Sequence, residues 1–193
     1  IITEKDIIIS NFESNLDLRT GTRARQRAVI LMGIAFTLLS LSQVWTTRPG
    51  QPETPPAELL QVFWKISAIA LIGVGLFWKK LVSNLANKRL VAFFMSALGG
   101  ILLLRFAGVY LNPPVLYIQV AETLVVGLTA FGMGTATSAR LAVAGTLSYG
   151  ISVVITAITG QMWVAMLSLG LAHMCFFGTM AWLWRPSRTR VKS

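Results

Sequence analysis

Six runs of mainly apolar residues, each about the 20-residue length that a helix needs to cross a bilayer, constrain this chain more than anything else in it. They cover residues 28–45, 60–78, 90–111, 115–134, 141–159 and 162–184. In hydrocarbon every backbone N–H and C=O must find its partner within the protein, so uninterrupted runs of this length read as helices. Between them lie a Pro-rich stretch from Arg48 to Gln61, a basic stretch from Lys79 to Arg89, the Asn112-Pro113-Pro114 turn, a loop from Thr135 to Arg140, and the short link Gly160-Gln161. Each break has turn or loop chemistry. All seven prolines fall outside the runs, as unbroken helices require. The expected fold is all-α: a polytopic integral membrane protein with a bundle of six transmembrane helices.

Charge placement orients the bundle. The chain is 54% hydrophobic and 12% charged, with a net charge of +10, whereas a soluble domain carries about 25% charged residues. Fourteen of the seventeen Lys and Arg fall on one side of the six-run parsing; Arg48 alone is on the other, and Lys65 and Arg105 lie inside runs. By the positive-inside rule both termini face the cytoplasm or its organellar equivalent. The expected partners are anionic lipid headgroups on that side and other membrane subunits, with no nucleic acid, because the basic residues flank apolar spans. All six tryptophans sit near run ends, marking two interfacial belts.

Three regions follow: a cytoplasmic basic and amphipathic segment over 1–27, the six-helix domain over 28–184, and a basic tail over 185–193. In the first, Ile8 or Ile9, Phe12 and Leu16 recur at helical spacing, as in a helix lying in the headgroup plane. The chain opens on Ile1, which leaves room for a processed leader or a larger parent. The expected location is the bacterial inner membrane or an equivalent organelle membrane.

Ionisable groups inside spans are costly and mark partners or cavities. Three qualify: Lys65, Arg105 and Glu122. Arg105 lies seven residues before Asn112 and Glu122 eight after Pro114, so each is roughly 10–13 Å along its helix from the turn at 1.5 Å per residue. Antiparallel neighbours would then pair them. Either they staple a hairpin while Lys65 snorkels to the surface, or all three line an outward-facing pocket for an anion, a headgroup or a proton.

Tyr149, Ser152 and Thr156, with Gly145 and Thr159, share one face of the fifth span; Thr123, Gly127, Ala130 and Gly134 form a comparable stripe on the fourth. Such seams pack helices closely or line a wet path. His173 is a possible single ligand for a pigment, a haem or a proton, or a packing histidine. It and Cys175 are two positions apart and diverge on a helix, against a nucleophile pair. No metal site and no cofactor are expected, since one histidine and one cysteine cannot build a multi-ligand centre. No phosphate-binding glycine loop, HExxH or GxSxG motif occurs, and the chain reads as non-enzymatic. The leading expectation is a six-helix subunit of a larger membrane assembly. The alternatives are a small-solute transporter or channel, and the membrane input domain of a signalling protein.

Overall fold

Each apolar run becomes a helix, and several helices extend past the apolar stretch into polar sequence. The computed structural model describes residues 22–51, 55–76, 78–81 and 85–185, and among them the secondary structure is helical with no strand. The elements are α1 (Thr22–Thr46), α2 (Pro56–Leu76), the short α3 (Trp78–Leu81), α4 (Leu85–Leu111), α5 (Val115–Thr135), α6 (Ala139–Thr159) and α7 (Met162–Leu183). Among the described residues, five helical stretches are long and apolar enough to cross a membrane: Gln26–Thr46, Asn87–Leu111, Val115–Thr135, Ala139–Thr159 and Met162–Leu183. The run expected as the second span lies on α2, which is not among these five. The amphipathic segment around Phe12 and the tail beyond Arg185 lie outside the described residues.

Two expected loops are shorter than the sequence implies. The basic stretch Lys79–Arg89 is partly helical, with α4 beginning at Leu85, and Arg140 sits in the first turn of α6. Lys, Arg and Asn are compatible with helix, so a helix runs on after its apolar stretch ends. Where the chain must reverse, local chemistry stops it. Asn112 adopts a left-handed φ of 47°, a conformation Asn tolerates better than most residues, and its N–H donates to the Gly108 carbonyl at 2.9 Å before Pro113 and Pro114 end the ladder. At the other tight link Gly160 caps α6 in the left-handed region, φ 61°.

Packing proceeds around the bundle in the order α2, α4, α5, α6, α7, α1, with α1 against α7 and α5 against α6 the most extensive interfaces. The first and last of the long helices are thus brought together: Gln26 Nε2 donates to the Ala181 carbonyl at 3.1 Å. Small residues set the approach of α5 and α6. A Cβ on Gly134 would meet the Ala142 backbone, and one on Gly145 would meet the Ala130 methyl. The stripes of the fourth and fifth spans therefore meet along Gly127, Ala130, Gly145 and Tyr149, whereas Thr159 at the end of the fifth-span stripe is exposed.

The outside of the bundle is apolar. Leu31, Leu38, Leu128, Ile151, Ile158 and Met174 are all exposed, the pattern expected where lipid is the solvent. Trp45, Trp64, Trp78 and Trp182 are exposed, whereas Trp184 is buried and belongs to a core cluster drawn from α1, α4, α5, α6 and α7.

Candidate functional site

The three-residue turn after α4 places Arg105 and Glu122 at matching depth, and the two meet. Arg105 Nε donates to Glu122 Oε1 at 2.5 Å and Nη2 donates to Oε2 at 2.8 Å. This is the planar fork-to-fork arrangement that favours Arg over Lys. The third guanidinium nitrogen, Nη1, donates to the Leu59 carbonyl of α2 at 2.6 Å, and the guanidinium carbon lies 4.8 Å from the Phe63 ring centroid. One buried arginine thereby ties α4 to both α5 and α2. Lys65 does not join the pair: its side chain is exposed on α2, so of the two expected arrangements the side chains form the ion pair across the hairpin and not the three-residue cluster.

Beside this pair the helices border a partly open cavity of about 100 Å³. Its wall includes Arg105 and Glu122 at one part and Ser40, Tyr149 and His173 at another, with Phe36, Phe94 and Phe177 among its apolar surfaces. His173 is buried and accepts or donates one hydrogen bond, Nδ1 to Ser40 Oγ at 3.4 Å. Its ring stacks on Phe36 with centroids 5.5 Å apart and on Phe177 at 6.1 Å, and meets Tyr149 edge-on at 5.5 Å. Phe36 and Phe177 also stack on each other with centroids 6.1 Å apart, so the three rings form one triangular cluster.

Tyr149 is 1% exposed and its hydroxyl has no hydrogen-bond partner. A buried phenol normally finds one, and leaving it orphaned costs about 1–3 kcal/mol. The rest of the α6 face is conventional. Ser152 shares a hydrogen bond with Ser168 of α7, Oγ to Oγ 2.9 Å, and Thr156 is buried alongside. A double-mutant cycle of Ser152→Ala and Ser168→Ala, read by SDS unfolding in mixed micelles, should give a coupling of about 0.6 kcal/mol, the average for hydrogen bonds between membrane helices. Additive single effects would mean that the two hydroxyls do not interact.

Sequence reading missed Ser40, Gln43 and Gln119, all of which line the cavity. One signal was present. Gln119 is an amide within a span, one turn before Glu122 and Thr123, and it is buried. Ser40 and Gln43 sit three apart near the end of α1, but only folding brings α1 against α7.

No family model, no curated protein and no solved structure matches this chain. The fold and the site define a class, an apolar helical bundle suited to a membrane, with a mainly apolar cavity that a few polar side chains border.

Proposed function

We propose that the protein is a non-enzymatic membrane domain that binds a small molecule within its transmembrane core. In this reading α2 is the sixth span, and the basic flanks hold both ends of the bundle on the cytoplasmic side of a bacterial inner membrane or its organellar equivalent. The observation that carries the reading is the cavity of about 100 Å³ that borders Arg105, Glu122, Tyr149 and His173. Close-packed helices rarely leave a space of that size, and the few polar groups on its mainly apolar wall would be idle in a purely structural bundle. The Arg105–Glu122 pair serves as the fixed polar end of the site. Both charges are matched and held by several hydrogen bonds, so the pair positions rather than titrates. The reading corresponds to a receptor or carrier bundle, in which occupancy of the core alters the packing of α1 and α2 against the rest.

Native mass spectrometry of the protein released from its own membrane tests this. A small-molecule adduct should accompany the wild type and be lost in Ala97→Phe, which places a ring in the cavity from α4, one of its walls. Identical spectra for the two would overturn the reading.

A second reading, a packing subunit of a larger membrane assembly, draws on Gly99, Gly150 and Gly178. A Cβ at any of these would meet nothing within 4 Å, so their helix faces would admit a close-packed neighbouring helix. Gentle detergent purification would recover partner chains with the protein if this reading holds. A lone chain would count against it.

A further inference from the structure

The chemistry of the cavity wall narrows what the core takes, an inference that rests on the binding reading above. Three features act together. The wall has no net charge to offer, because Arg105 and Glu122 satisfy each other through two hydrogen bonds. An ionic ligand would find no counter-charge there and would lose its hydration on entry. An uncharged ligand is favoured.

Much of the wall is aromatic. Phe36, Phe94, Tyr149, His173, Phe176 and Phe177 all line the space, and Phe36 meets Phe94 with centroids 6.4 Å apart across the α1–α4 side. Flat π-surfaces of this kind favour a flat ring, stacked or edge-on. The size suits one ring, since a cavity of about 150 Å³ lined by apolar side chains holds benzene and the space here is about 100 Å³.

Two polar groups on that wall have capacity to spare. The Tyr149 hydroxyl is buried without a partner, and among the described residues His173 hydrogen-bonds only through Nδ1. A phenol O–H can donate to a ligand oxygen, and the second imidazole nitrogen can receive or supply a proton in a further hydrogen bond. We infer that the cavity binds an uncharged single-ring compound bearing a carbonyl or hydroxyl oxygen, its ring among Phe36, Phe94 and Phe177 and its oxygen hydrogen-bonded by Tyr149 and His173. The orphaned hydroxyl is then a site awaiting its acceptor.

Fluorine NMR of 4-fluorophenol and of fluorobenzene, with the protein in lipid nanodiscs and empty nanodiscs as reference, tests the assignment. The wild type should broaden 4-fluorophenol beyond the empty discs. Tyr149→Phe should weaken that binding about three- to tenfold, the worth of one hydrogen bond, and Ala97→Phe should abolish it. Fluorobenzene should bind more weakly and be indifferent to Tyr149→Phe. Without probe, Tyr149→Phe should unfold no more easily than the wild type, since the hydroxyl it removes has no partner. If fluorobenzene binds as well as 4-fluorophenol and Tyr149→Phe changes neither, the hydrogen-bonding ligand class is overturned while the core remains a binding site. If neither probe distinguishes wild type from Ala97→Phe, both inferences fail and the cavity holds only water.

Discussion

Glu122→Gln should destabilise the bundle by about 3–5 kcal/mol, and Arg105→Met by a similar amount, whereas Arg105→Met combined with Glu122→Leu should come close to wild-type stability. The reason lies in what each change leaves behind. Glu122→Gln strands a guanidinium that is buried between α2, α4 and α5, and a charge in that position has neither water nor counter-ion. Arg105→Met strands a carboxylate instead and also releases the tie to α2. The double substitution leaves no charge, and the Leu59 carbonyl stays within α2, where the helical ladder provides its other donor. SDS unfolding in mixed micelles measures all four proteins. Additive losses in the double variant would mean that the pair is worth more than the desolvation it costs, contrary to this account. Small effects in all three would mean that the charges are solvated.

Gly134→Ala should be the most damaging single-methyl change in the bundle. The added Cβ would fall on the Cα and N of Ala142, backbone atoms that cannot rotate aside, so α5 and α6 would have to separate at their tightest point. Overpacking typically costs about 1–3 kcal/mol, and a backbone obstacle puts this site at the upper end. Gly150→Ala is the matched control. Its Cβ would meet nothing within 4 Å, and exchanging Gly for Ala in a helix interior gains roughly 0.5–1 kcal/mol. Opposite signs for the two substitutions on the same unfolding assay are the expected result. Equal effects would show that the α5–α6 approach is not set by that glycine.

The legibility of the site followed sequence distance. Arg105 and Glu122 are seventeen positions apart and joined by one turn, so helix rise alone placed them at one depth. Their pairing was readable for that reason. His173 and Ser40 are 133 positions apart, and no spacing rule connects α7 to α1. The third partner of Arg105, the Leu59 carbonyl, is a backbone group and carries no residue signature at all. Lys65 shows the converse: it lies in the same apolar run as Phe63, which the guanidinium does meet, yet it points out of the bundle, because two residues along a helix turn a side chain to a different face.

By itself the sequence determined the helices, their approximate lengths, the turns at Asn112 and Gly160 and the apolar exterior. These are local consequences of hydropathy, proline and backbone hydrogen bonding in lipid, and each is decided within a few turns of chain. The tertiary structure decided the order of packing, which closes α1 on α7, turns the small-residue stripes inward and leaves a cavity between an ion pair and a histidine. No helix face shows this in advance, since in a bilayer every face is apolar and the choice of neighbour rests on shape and on a few polar groups.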